Sequence, residues 1–255
     1  MKRAVAASLE VTSPGMEGRS VGEELNDPSL APEMPIDGNR DLTNLDFLRT
    51  VAVLLVFTGH LSGGMRIRGL GDLGHFGVLL FFVHTSLVLM LSMGRLGLQG
   101  GALYTSFMVR RIFRIYPLSI LTVLLVVSFQ VPSTPWLPGQ AAAYSWHGWP
   151  GLFSNILLIQ NATRSGSVLC VLWSLPYEVQ MYAALPLLYF LMRRFPSPRA
   201  AVFAWISGVA MAGVEYFSRS ANFDSDFLLL RYFPCFLAGV LAWRLMETRR
   251  RLLPA

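Results

Sequence analysis

The chain has 255 residues, 53% of them hydrophobic and only 14% charged, with a formal net charge of +6. Soluble domains carry about 25% charged residues, so this composition excludes an ordinary soluble enzyme and points to an all-α, polytopic transmembrane helix bundle. Nucleic acid is a poor partner for the basic balance, because the chain holds one lysine, Lys2, and its arginines bracket long apolar runs instead of forming one face.

Residues 1–45 contain eight acids and four bases, whereas the rest of the chain contains seven acids and seventeen bases. The first segment is rich in Ser, Pro, Gly, Glu and Asp and lacks apolar periodicity, so we expect a disordered cytoplasmic tail there. After Lys2 and Arg3 the apolar run is too short for a signal peptide. A bilayer-spanning helix needs about 20 mostly apolar residues. Six stretches qualify, at roughly 46–64, 75–94, 115–132, 168–191, 200–217 and 228–246. They define a transmembrane domain over 46–246, followed by a basic cytoplasmic tail, 247–255. Residues 151–160 are apolar but short, and read as a re-entrant or interfacial piece before the fourth span. Cys170 and Cys235 fall inside apolar stretches and read as small core residues, with no Cys/His spacing for zinc.

Arginine counts set the orientation. With the N-terminus in the cytoplasm, the inside loops hold eleven arginines, from Arg95 through Arg110, Arg111 and Arg114 to Arg251. The outside loops then hold four: Arg66, Arg68, Arg164 and Arg219. Segment 133–150, with Trp136, Tyr144, Trp146 and Trp149, reads as an outer interfacial aromatic belt.

Ionisable groups within a bilayer are costly and usually line a cavity or site. That filter selects His60, His84 and Glu178, and near span ends Arg49, Glu215 and Arg231. Arg49 and His60 are eleven residues apart, which at about 100° per residue falls about 20° from three full turns. Both therefore share one helical face, about 16 Å apart along the axis, with a cation near the cytosol and a titratable base deep in lipid. The alternative is a snorkelling Arg and a hydrogen-bonded structural His. Glu178 is expected near mid-depth of the fourth span and calls for a His or Arg partner, with Tyr182 one turn along on the same face. His84 is either a second titratable group or a helix-to-helix hydrogen bond. Arg111 and Arg114 share a face at i, i+3 and suit bidentate phosphate binding, or else serve as a positive-inside anchor.

Together these residues resemble a known family. Asn44-Leu45-Asp46-Phe47-Leu48-Arg49, ending at His60, resembles the Arg, ten residues, His signature of the membrane-bound acyltransferase 3 family, which includes bacterial O-acetyltransferases of surface polysaccharides. Phe76 to Val83 is similar to its second-span pattern, and Arg110 to Pro117 to its Arg-Arg-x-x-Arg-Ile-x-Pro pattern. Trp173-Ser174-Leu175-Pro176-Tyr177-Glu178 resembles its fourth motif, and Phe233 to Gly239 its Phe-x-x-Phe-x-x-Gly stretch. The resemblance covers about 44–246. After Phe81-Phe82-Val83 the family usually has Leu-Ser-Gly, where this chain has His84-Thr85-Ser86.

The resemblance implies a multi-pass protein of the bacterial inner membrane, with no metal and no permanently bound cofactor. Acyl-CoA, commonly acetyl-CoA, would be the co-substrate, and a carbohydrate or glycolipid hydroxyl the acceptor. His60 would be the general base, Arg49 would steer the donor, Glu178 would orient or charge-balance His60, and Arg111 and Arg114 would bind coenzyme A phosphates. Family members usually have several more spans, so a second membrane chain would complete the bundle, or the chain would be a truncated non-catalytic subunit. A transporter of a lipid-linked sugar would also use buried ionisable groups, but the two halves show no inverted repeat.

Overall fold

The computed structural model describes residues 38–64, 70–132, 144, 146–219 and 229–252, with the side chains of 38–43 and of a few residues at segment ends left aside. Most of the expected tail, the loop carrying Arg66 and Arg68, and Trp136 in the expected aromatic belt lie outside the described residues. From Asn39 on the chain is one structural unit. Eight α-helices occur among the described residues, and no strand does. They are α1 (Gly38–Gly64), α2 (Gly71–Arg95), α3 (Gly100–Ser128), α4 (Gly148–Ile156), α5 (Gln160–Thr163), α6 (Leu175–Arg194), α7 (Pro198–Arg219) and α8 (Phe233–Leu252).

Four of these helices are long and apolar enough to cross a membrane: 44–62 of α1, 72–95 of α2, 100–128 of α3 and 198–217 of α7. In the most apolar window of α2 50% of residues are buried, against 17% in the windows of α1, α3 and α7. The bare faces of those three are themselves apolar, with Phe57, Phe113, Leu118, Phe203 and Phe217 exposed. A surface of that kind is stable when its solvent is lipid. α2 is instead the central helix, packed along α8, which packs in turn along α7. The core between α2, α3, α6 and α8 is built from Phe82, Met90, Phe107, Met181, Leu185 and Phe236.

Several elements differ from the sequence expectation. α1 begins at Gly38, so residues 38–45 of the expected tail form its first turns. The sixth expected span, 228–246, is a 3-10 turn over Leu229–Arg231 followed by α8, which runs on into the expected basic tail. Of the six expected spans, the fourth and sixth, α6 and α8, are not among the four helices apolar enough to cross. The third helix starts at Gly100, well before 115, because Arg110, Arg111 and Arg114 are good helix formers that extend the helix without interrupting it. Its 29 residues exceed the about 20 needed to span, so an N-terminal overhang leaves the arginines near the membrane boundary. The fourth expected span, 168–191, begins as a 3-10 turn over Cys170–Ser174, and the α-helix starts only at Leu175. Pro176 sits in the first turn, where its missing N–H and fixed φ cost nothing. Glu178 is thus in the first turn of α6, where a carboxylate also complements the helix dipole. The 151–160 piece forms α4 and α5, both too short to span. Cys170 and Cys235 are free and half-buried.

Close helix contacts depend on glycine at two seams. A Cβ on Gly77 of α2 would lie 2.8 Å from the Ala52 carbonyl oxygen of α1. On Gly239 of α8 it would lie 2.0 Å from Ser86 Oγ and 2.3 Å from the Val83 carbonyl oxygen of α2. The glycine missing from the α2 motif at position 86 is therefore supplied from the partner helix, and Ser86 folds its hydroxyl back onto its own helix at Phe82 and Val83.

Candidate active site

A cavity of about 700 Å³ opens between α1, α2, α3 and the start of α6. Each wall brings its own chemistry. α1 contributes Asp46 and Arg49, α2 contributes His84 and Arg95, α3 contributes Arg111 and Arg114, and α6 contributes Glu178 and Tyr182. The arginines come from the first half of α1, the end of α2 and the middle of α3, so three helices deliver cations to the cavity. The i, i+3 spacing of Arg111 and Arg114 works as the sequence predicts, because α3 is continuous through both.

Glu178 is buried, 6% exposed, and accepts a 2.9 Å hydrogen bond from the Tyr182 hydroxyl one turn along. Arg114 lies within electrostatic reach of the carboxylate, and Arg111 and Arg114 within reach of Tyr182. Arg111 is half-buried with its guanidinium 5.5 Å from the Phe107 ring centroid, a cation–π contact one turn back. Its Nε is buried without a hydrogen-bond partner among the described residues. Arg114, Arg95 and Arg49 are exposed at the rim.

Arg49 and His60 do share one unbroken helix, but they have different surroundings. Arg49 lines the cavity, whereas His60, half-buried three turns further, is not among the lining residues. The imidazole that does line it belongs to His84, which is 7% exposed. Leu45, Arg49 and Asp46 of α1 line the cavity beside it and lie within its electrostatic reach, and its Nδ1 is buried without a partner among the described residues. Of the remaining filtered residues, Glu215 is buried on α7, and Arg231 lies exposed with its guanidinium 5.7 Å from the Tyr232 ring centroid.

Residues 42–254 match the family described as Acyltransferase domain. The chain belongs to the acyltransferase 3 family. Acyltransferase MdmB of Streptomyces mycarofaciens is 30% identical over 173 residues, which is 62% of this chain and 42% of that protein. The chain thus spans less than half the length of the curated relative it matches. No solved structure gives a significant match. The family's fourth motif forms the hinge between the 3-10 turn and α6, and turns Glu178 into the cavity while Trp173 and Tyr177 face away from it.

Proposed function

We propose that this chain is an integral-membrane acyltransferase that moves an acyl group, acetyl in the simplest case, from acyl-CoA to a hydroxyl of a carbohydrate or glycolipid. The observation that carries the reading is the cavity in which four guanidinium groups from three helices surround Glu178, Tyr182 and one imidazole. Arg111 and Arg114 take the coenzyme A phosphates at the cytoplasmic mouth, and Arg49 holds the donor toward the thioester. The acceptor hydroxyl loses its proton to a base as its oxygen attacks the thioester carbonyl. The tetrahedral intermediate collapses to the ester, and the coenzyme A thiolate leaves and is protonated. Glu178, held by Tyr182, orients the base or balances its charge. The setting is the bacterial inner membrane with the N-terminus inside, in keeping with the arginine bias of the loops.

His60 is the base that the family signature assigns. A second reading gives this role to His84, and its support is that His84 lines the cavity whereas His60 does not. Labelled-acetyl transfer to a glycan by His60→Ala and His84→Ala separates them. The variant lacking the base loses about 100-fold or more of the transfer rate while still folding. Wild-type-level transfer in both variants removes the imidazole mechanism.

A further inference from the structure

The cavity that holds Glu178 changes character along its length. Contacts between helices set the levels. His75 of α2 is stacked on Trp173 at 5.6 Å, and Gly94 of α2 faces the Tyr189 hydroxyl, so α2 and α6 run in the same direction. Phe107 of α3 meets Tyr182 edge-on at 6.3 Å. Arg114, two turns further along α3, lies within electrostatic reach of Glu178, one turn back along α6. α3 therefore runs against both. In this frame Arg95 stands toward one end of the cavity, Arg111 and Tyr182 follow, and Arg114 with Glu178 marks the last charged level. Ala52 of α1 touches Gly77 of α2, which keeps Arg49 on the charged side of that level.

Beyond that level the lining is Leu118, Ser119 and Thr122 of α3 with Val171, Leu172 and Leu175 at the start of α6, and none of these is charged. The two hydroxyls serve their own helix: Ser119 donates to the Ile115 carbonyl at 3.0 Å and Thr122 to the Leu118 carbonyl at 2.8 Å. Arg114 and Thr122 are eight residues apart, so the apolar section is about 12 Å long. Leu172 and Leu175 join it to a small apolar cluster with Val123 and Leu152 at its core. Leu118, 68% exposed, and Val171, 46% exposed, leave one side facing lipid. Cations, then a carboxylate, then hydrocarbon is the order of groups that suits an amphiphile with an anionic head, a reacting centre and an apolar tail. An acetyl group carried at the level of Glu178 is too short to reach Thr122. We infer that the apolar section is the acyl-chain pocket of the donor, and that the group transferred is a medium-chain acyl group, with Leu118, Thr122 and Val171 setting its length. Assigning the charged side to the donor rests on the acyl-transfer reading above. The bonds are those of that reading: the thioester C–S bond breaks, the ester C–O bond forms, the acceptor proton ends on the coenzyme A thiolate, and the hydrocarbon tail is carried unchanged.

The test is the Kd of acetyl-, butanoyl-, hexanoyl- and octanoyl-CoA for the full chain in lipid nanodiscs, with empty nanodiscs subtracted for partitioning into the bilayer. The expected result is a Kd that falls by about two- to fourfold per added CH2 from acetyl to hexanoyl. Thr122→Trp, which fills the apolar section from a half-buried position, cuts the hexanoyl-over-acetyl preference at least tenfold. Thr122→Leu is the smaller plug and moves the preference the same way should tryptophan disturb the bundle. Leu124→Trp adds the same ring to an exposed position outside the cavity and keeps the wild-type preference. A Kd indifferent to chain length, or a preference retained in both Thr122 variants, overturns the pocket and leaves the section to a membrane lipid tail. Transfer of labelled acyl groups to a saccharide by the same samples keeps the two proposals apart. Length-dependent binding without transfer removes the acyl-transfer reading alone, and transfer with a flat Kd series removes the acyl-chain pocket alone.

Discussion

Replacing Gly239 by alanine tests how the bundle holds the wall of the cavity. The added Cβ would meet Ser86 Oγ at 2.0 Å, the Val83 carbonyl oxygen at 2.3 Å and the Leu87 nitrogen at 2.9 Å. The serine hydroxyl can rotate away, but the other two atoms are helix backbone. Relieving the carbonyl contact requires α8 to retreat from α2 by about 1 Å, and the pair forms the most extensive helix interface among the described residues. Overpacking of this kind costs about 1–3 kcal/mol, and backbone obstacles put Gly239→Ala near the upper end. At roughly 2–4 °C per kcal/mol for a chain of this size, the Tm in nanodiscs falls by roughly 6–12 °C. Gly213 on α7 has nothing within 4 Å of its added Cβ, so Gly213→Ala is the matched control. It gains about 1 kcal/mol of helix propensity and leaves the Tm level or higher. An unchanged Tm in Gly239→Ala, or equal losses in both variants, would refute the close-packed seam.

The two arginines of α3 differ in burial and so in expected effect. On the proposed reading, half-buried Arg111 holds a coenzyme A phosphate with a charge-assisted hydrogen bond worth about 1.5–3 kcal/mol, so Arg111→Ala is expected to raise the acetyl-CoA KM by about 10- to 150-fold at nearly constant kcat. Exposed Arg114→Ala changes it by only about two- to fivefold. Equal effects, or a fall in kcat at constant KM, would count against phosphate binding. Tyr182→Phe removes the 2.9 Å hydrogen bond to Glu178 and leaves a buried carboxylate less well held. It lowers kcat while the acetyl-CoA KM stays level, and identical steady-state kinetics would show that the bond plays no part.

Much of this arrangement is legible in the sequence, for definable reasons. The long apolar windows of α1, α2, α3 and α7 state their solvent directly. The i, i+3 spacing of Arg111 and Arg114, and the i, i+4 spacing of Glu178 and Tyr182, carry over because both pairs lie on unbroken helices. The start of α6 is not legible from hydropathy, because the 3-10 turn Cys170–Ser174 is as apolar as the helix it precedes. Sharing a helical stripe also does not ensure sharing a cavity. Arg49 and His60 lie on one face, but the neighbours that enclose Arg49 do not extend three turns along to His60. His84 shows the converse. Its own helix is buried on several sides, so periodicity alone cannot indicate which neighbour it faces.

On the proposed reading, acyl transfer occurs in the arginine-ringed cavity with Glu178. Its most direct test is transfer of labelled acetyl from acetyl-CoA to a saccharide acceptor by the purified full chain in nanodiscs, compared with Glu178→Gln at matched Tm. Turnover by the wild type and a loss of about 10- to 100-fold in the variant are expected. An inactive wild type, or Glu178→Gln turning over at the wild-type rate, would contradict it.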